Sequence, residues 1–215
     1  MIALINPNTS ASVTATMVRI AGETAGPAER IEGFTAAFGA TLITEPAELD
    51  RAAEAVAALA TGMARARAVI VAAFGDPGLS ELRARLSIPV TGIAEAGMAE
   101  AAQGGRRFAV VTTTPRLRER IAETAARHGH DAFIGTWTTP GDPVALTADA
   151  DALRRALDAA CIAAAEAGAE AIVIGGGPLA EAARDLAASA AVPLIEPLPA
   201  AVRLSLRRLT AGVSP

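Results

Sequence analysis

The 215-residue chain contains no lysine and no tyrosine, one cysteine, one tryptophan and two histidines. Each shortage removes a class of chemistry. Without a lysine, no Schiff base to pyridoxal phosphate can form, and all 19 basic residues are arginine. A single cysteine, Cys161, excludes an internal disulfide framework and any site built from several thiolates, and no metal is expected. Catalytic proton transfer is left to a carboxylate, the one thiol, His128 or His130, or water held by hydroxyls and backbone.

Charge and hydropathy exclude further partners. The formal charge is −4 and the arginines are scattered singly or in pairs, so no basic footprint for nucleic acid exists. No apolar run approaches the ~18 residues of a membrane span. Met1 leads directly into Ile2-Ala-Leu-Ile5 without a basic leader, and the expectation is a cytoplasmic protein with no membrane partner.

Short β-branched apolar runs alternate with alanine-rich amphipathic stretches, the pattern of parallel strands covered on both faces by helices. The expected class is α/β. Strands are placed near residues 2–5, 30–37, 68–74, 89–92, 108–112, 131–137, 171–174 and 193–195. Helices follow near 10–21, 46–62, 78–86, 94–103, 115–128, 149–167, 178–189 and 197–209.

The two halves repeat. Ala3-Leu-Ile-Asn6 aligns with Ala109-Val-Val-Thr112, Ala68-Val-Ile-Val-Ala-Ala-Phe-Gly75 with Ala171-Ile-Val-Ile-Gly-Gly-Gly-Pro178, and Ile88-Pro89-Val90 with Val192-Pro193-Leu194. A period of half the chain predicts two pseudo-symmetric lobes, each a short parallel sheet flanked by helices, with the site between them. Lobe 1 is expected over 1–93, completed by a C-terminal helix over 197–215, and lobe 2 over 94–196. Ligands of open α/β sheets bind beyond the carboxyl ends of strands, which selects the loops at 6–10, 44–46, 73–76, 112–115 and 175–178.

These loops carry the candidate chemistry, each with a plainer alternative. Asn6-Pro-Asn-Thr-Ser10 offers amides, hydroxyls and free N–H groups to a carboxylate or ureide, but Thr9 or Ser10 could equally cap a helix. Thr112-Thr-Thr-Pro-Arg116 stands at the equivalent place in the second half and reads as an anion site beside a helix start, or as a helix cap alone. Asp76 is a candidate acid or base, yet Asp before Pro77 is also the signature of an N-cap for the helix that follows. Glu95 and Glu196 open corresponding helices, where the dipole alone favours a carboxylate. His128 and His130 are expected on the surface, and Cys161 on the buried face of a helix as an inert thiol. Gly141-Asp142-Pro143 reads as an ordinary turn. Gly175-Gly-Gly-Pro-Leu-Ala180 fits a dinucleotide fingerprint with Glu196 about 20 residues on. It follows the seventh strand rather than the first, and Pro178 removes an amide that would face the pyrophosphate, which makes a nucleotide-binding protein the third reading.

Taken in order, Ile5-Asn-Pro-Asn-Thr-Ser10, Ala73-Phe-Gly-Asp-Pro-Gly-Leu79, Gly92-Ile-Ala-Glu-Ala96, Val111-Thr-Thr-Thr-Pro115 and Ile174-Gly-Gly-Gly177 resemble the Asp/Glu/hydantoin racemase superfamily, nearest its hydantoin racemase branch. The resemblance spans nearly the whole chain. It implies two pseudo-symmetric lobes, no cofactor, and substrates such as amino-acid carboxylates, hydantoins or substituted malonates. It also implies a cysteine after the third strand and another after the seventh, acting as acid and base on either side of the substrate α-carbon. Here those positions read Ala73 and Gly176.

Neither can carry a proton. The expectation is therefore a cofactor-independent enzyme acting on a small carboxylate or hydantoin-like ring by hydrolytic or elimination chemistry, such as removal of a ring substituent, rather than by two-thiol racemisation. Asp76, Glu95, Glu45 or Glu196 would work on water or substrate, with Asn8, Thr9, Phe74, Gly75, Thr113, Thr114, Gly176 and Gly177 holding the ligand. The alternative is a non-catalytic small-molecule binding protein that kept the cleft. Either is expected to form a homo-oligomer.

Overall fold

The computed structural model describes residues 1–211. Two four-stranded parallel sheets carry the architecture. The first contains β1 (Ile2–Asn6), β2 (Ile31–Thr35), β3 (Ala68–Val71) and β4 (Val90–Gly92), in the order β2-β1-β3-β4. The second contains β5 (Phe108–Thr112), β6 (Phe133–Thr138), β7 (Ala171–Ile174) and β8 (Leu194–Ile195), in the order β6-β5-β7-β8. The matching orders are the structural form of the sequence repeat.

Helices connect the strands: α1 (Ala11–Ala25), α2 (Pro46–Ala58), α3 (Leu79–Arg85), α4 (Ile93–Ala101), α5 (Arg118–Arg127), α6 (Pro143–Thr147), α7 (Ala150–Glu166), α8 (Ala180–Ala187) and α9 (Pro197–Ala211). Their starts follow local chemistry. Ser10 accepts from the Val13 N–H at the head of α1, and Asp142 and Asp149 do the same for α6 and α7. At α2, Pro46 occupies the first turn while the Glu48 carboxylate reaches back to the N–H groups of Thr44 and Glu45.

Several boundaries differ from expectation. The third strand ends at Val71, because residues 72–76 bend away to form a loop. The stretches at 115–128 and 178–189 begin as single 3₁₀ turns at 115–117 and 177–179, each containing a proline, before α5 and α8 proper. The turn at Gly141-Asp142-Pro143 continues into α6, whose five residues are too few to show a helical period.

The core explains why both halves pack as they do. All residues of β3 and β7, and of β1 and β5, are buried, as strands covered on both faces require. One apolar cluster joins both sheets, running from Ile2, Leu4 and Ile70 through Ile93 and Met98 of α4 to Phe108, Val110 and Val173, with Ala201 and Val202 of α9. Two satellite clusters cover the outer faces, one over the first sheet with Val56 and Leu82, the other over the second with Leu157 and Cys161. Trp137 on β6 packs half-buried against the latter. Helix α9 lies against α1 and α4 and over β3 and β4. Among the described residues, no helix is long and apolar enough to cross a membrane.

Candidate functional site

In each sheet the strand order reverses between the two central strands, β1 and β3 in one and β5 and β7 in the other. The carboxyl ends of these four strands converge on a single cleft, as the switch-point rule for open α/β sheets anticipates. Asn8 enters it after β1, Ala72 to Phe74 after β3, Thr112 to Thr114 after β5, and Gly175 to Gly177 after β7. Leu42, Ile43, Leu117, Ile121, Thr147 and Leu179 complete the lining.

The polar half is built from hydroxyls and amides. Asn6 is completely buried; its Nδ2 donates to Asn8 Oδ1 (2.7 Å) and Thr14 Oγ1 (3.0 Å), and its Oδ1 accepts from the Asn8 N–H (3.1 Å). The Ser10 N–H also donates to Asn8 Oδ1 (2.9 Å), so the Asn8 oxygen is occupied. Its Nδ2 has no partner among the described residues and is the donor left for a ligand. Across the cleft, the Thr112 and Thr114 hydroxyls pair at 3.0 Å, while the Thr113 hydroxyl has no partner among the described residues. The backbone N–H groups of Phe74, Thr113, Gly176 and Gly177 likewise make no hydrogen bond within the described residues. Donors from both lobes thus face one space, suited to a carboxylate, an oxyanion or the carbonyl edges of a ureide ring.

At residue 176 the backbone has φ 149° and ψ 128°, a conformation that L side chains rarely adopt. A β-carbon there would also stand 3.2 Å from Leu179 Cδ1.

None of the four candidate carboxylates lines the cleft. Asp76 caps a helix, but not the one that follows it. Its Oδ1 accepts from the Ala94 N–H (2.8 Å) and its Oδ2 from the Glu95 N–H (2.7 Å), at the head of α4. It is buried and held at φ 53°. Burial pushes its pKa up to about 7, against the pull of those two N–H groups. Gly92 makes the contact possible, since a β-carbon there would fall 2.1 Å from the Asp76 carboxyl carbon.

Glu95 is held between two arginines: Arg208 Nη2 donates to Oε1 (2.7 Å) and Arg83 Nη2 to Oε2 (2.7 Å), with the Gly92 N–H also directed at Oε2 (3.3 Å). Burial alone would raise its pKa, but the two guanidinium groups prevail and hold it at about 2. Glu196 accepts from Arg184 Nε (2.9 Å), and Glu45 pairs with Arg116. Each carboxylate expected to act on substrate is committed to an arginine or a helix terminus instead. Thr9 and Gly75, expected to hold ligand, also lie outside the cleft lining.

Two further expectations meet the structure differently. His128 and His130 are half-buried rather than on the surface; the His130 ring meets Phe108 edge-on at 5.6 Å, and burial lowers the pKa of both. Cys161 sits on the buried face of α7, where burial pushes its thiol up to about 12. Among the described residues, no group of three or more His, Cys, Asp or Glu could hold a metal.

Sequence reading missed Leu42, Ile43, Leu117, Ile121 and Thr147. Leu42 and Ile43 belong to an irregular stretch with no periodicity to betray a buried face. A signal for Thr147 was present: Asp142 before Pro143 is a cap and a first helical residue.

The model of the family described as Asp/Glu/Hydantoin racemase matches residues 2–205. The chain belongs to that family. It is 33% identical to a hydantoin racemase of Rhizobium meliloti, over 97% of this chain and 88% of that protein. Among solved structures it superposes on allantoin racemase from Klebsiella pneumoniae with a TM-score of 0.92 at 29% identity, covering 99% of this chain and 89% of that one. An allantoin racemase from Pseudomonas fluorescens gives 0.91 at 30% identity, over 99% and 92% of the two chains. The fold of two parallel four-stranded sheets is shared with these racemases.

Proposed function

We propose that this member of the family is a cofactor-independent enzyme that binds a hydantoin-like ring or small carboxylate between its sheets. It acts on that ligand by hydrolytic or elimination chemistry through a held water rather than by two-thiol racemisation. The observation that carries this reading is the cleft lining itself: hydroxyls, one amide and free backbone N–H groups, with alanine at 73 and glycine at 176. Such a lining can orient a ring and stabilise developing negative charge on a carbonyl oxygen. Among the described residues, the lining holds no thiol, imidazole or carboxylate to exchange the α-proton. The names of the relatives support the ligand class.

The test is incubation in D₂O with a panel of 5-substituted hydantoins, thiohydantoins, amino acids and malonates, followed by polarimetry and mass spectrometry. A product of altered mass, with no deuterium on the α-carbon of the recovered substrate, is the expected result. Deuterium entry with loss of optical rotation would reverse the assignment of chemistry.

A second reading, a binding protein without turnover, is favoured by one observation: Asp76, Glu95, Glu45 and Glu196 are all engaged away from the cleft. It requires saturable thermal stabilisation by a panel member with no product. No thermal shift is expected with NAD or a nucleotide.

A further inference from the structure

The loop after β3 serves two spaces. Ala72, Ala73 and Phe74 line the cleft, while Gly75 and Asp76 line a separate cavity of about 200 Å³ that shares no lining residue with it. One turn joins them: the Asp76 N–H donates to the Ala73 carbonyl at 3.1 Å, with Gly75 at φ 104° on the corner. That turn sets the position of Phe74. The Phe74 N–H makes no hydrogen bond within the described residues, and the ring reaches the loop after β7, where Cδ1 stands 3.1 Å from the place a β-carbon on Gly175 would take.

The Asp76 side chain holds this turn in place. Its φ of 53° is a conformation that persists only where the surroundings fix it. The fixing contacts are the hydrogen bonds from the Ala94 and Glu95 N–H groups, one to each carboxylate oxygen. The ionised carboxylate accepts both, whereas a proton on either oxygen sets a donor against one of these N–H groups. Charged groups face Asp76 from every element packed on it. Glu95 of α4 opposes its ionisation and Arg83 of α3 favours it, while Asp50 of α2, Glu81 of α3, and Arg120 and Arg127 of α5 line the same cavity. Glu95 stays ionised between its two arginines, and Arg120 is paired with Asp50 at 2.7 Å. Burial outweighs the rest, and a pKa of about 7 leaves both forms of Asp76 populated at neutrality.

From this geometry we infer that Asp76 is a positioning residue: its carboxylate, gripping the head of α4, sets the turn that presents Phe74 to the bound ring, and protonation of Asp76 releases that turn. Asp76 lies outside the cleft lining and acts through Phe74. The competent cleft is therefore the one in which Asp76 is ionised, and ligand affinity falls as the pH drops through neutrality. The inference rests on the ligand class given under Proposed function, and its test keeps the two apart.

Hydantoin, largely uncharged over the range, is titrated into the protein by calorimetry at about pH 6 and about pH 8. The ionised fraction of Asp76 drops from about nine-tenths to about one-tenth between them, so binding is expected to be about tenfold weaker at the lower pH. Asp76→Asn keeps a residue that tolerates positive φ and puts an amide N–H where one oxygen stood. It is expected to bind hydantoin equally at both pH values, as weakly as the wild type does at the lower one. Joint replacement of His128 and His130 by glutamine is expected to leave the difference in place. The unaltered chain supplies a measurement that needs no variant: the NMR amide signals of Ala94, Glu95 and Phe74 are expected to shift together, with one midpoint near pH 7. If hydantoin binds at neither pH, the reading of the cleft falls, and this inference with it. If hydantoin binds alike at both, if Asp76→Asn retains the difference or the histidine replacements abolish it, or if the Phe74 signal stays still while those of Ala94 and Glu95 move, the positioning role alone is overturned.

Discussion

Gly176 holds its chain in a conformation that a side chain resists, and Ala73, its counterpart in the first lobe, stands under no such constraint. Replacing each by cysteine should therefore be unequal. Gly176→Cys is expected to cost about 1–3 kcal/mol of stability, against less than about 1 for Ala73→Cys, as read by urea denaturation. Binding divides between the lobes at the same scale. Thr113→Val and Asn8→Ala each remove one unpartnered donor, and each is expected to weaken hydantoin roughly tenfold in calorimetry, with the Asn8 change also lowering stability because its oxygen ties down Ser10. The binding residues were legible because strand ends announce themselves: an apolar run stops and hydroxyls, amides or glycines follow. The carboxylates were not, since a sequence shows that Asp76 precedes a proline but not that its side chain turns to a helix that starts at Ile93. Capping across the fold is a tertiary fact.

At the scale of elements, Glu95 binds three helices together, its own α4, α3 through Arg83 and α9 through Arg208. Its folded-state pKa lies below the ordinary 4.5, at about 2, so ionised Glu95 favours the fold. That contribution is complete above pH 4.5 and is lost as pH falls towards 2. Glu95→Gln should accordingly cost about 2 kcal/mol near neutrality, and the gap between wild type and variant should close between pH 4.5 and 2 when urea midpoints are compared. Gly92→Ala attacks the same helix start from the other side, forcing the Asp76 carboxylate off the α4 N–H groups, and should destabilise by about 3 kcal/mol. Helix and strand identities were legible from periodicity. Their ends were less so, because Ala72 to Phe74 continue the apolar run of β3 yet leave the sheet to build the cleft. Apolarity does not distinguish a strand from a buried loop beside it.

At the scale of the molecule, the half-chain repeat disclosed two short parallel sheets but not the strand order they share. It could not disclose that their inner faces share one apolar cluster through α4 and α9. With the largest apolar cluster held in common, neither half can come apart without opening it, and a single calorimetric transition with matching van't Hoff and calorimetric enthalpies is expected. A fragment ending at Gly92 should not fold alone, as far-ultraviolet circular dichroism would report. Ion pairs between α1 and α8, Arg19 with Glu181 and Glu23 with Arg184, lie outside this core and are exposed. Their removal should alter stability by less than about 1 kcal/mol.

Trp137 sits on β6, at the far edge of the second sheet, and the chain has no tyrosine. Ultraviolet emission at indole wavelengths therefore originates from one place in one half of the protein. The molecule carries a built-in optical reporter on its second sheet and none on its first, so a labelled residue on α2 or α3 would turn it into a two-colour probe of the distance between the halves.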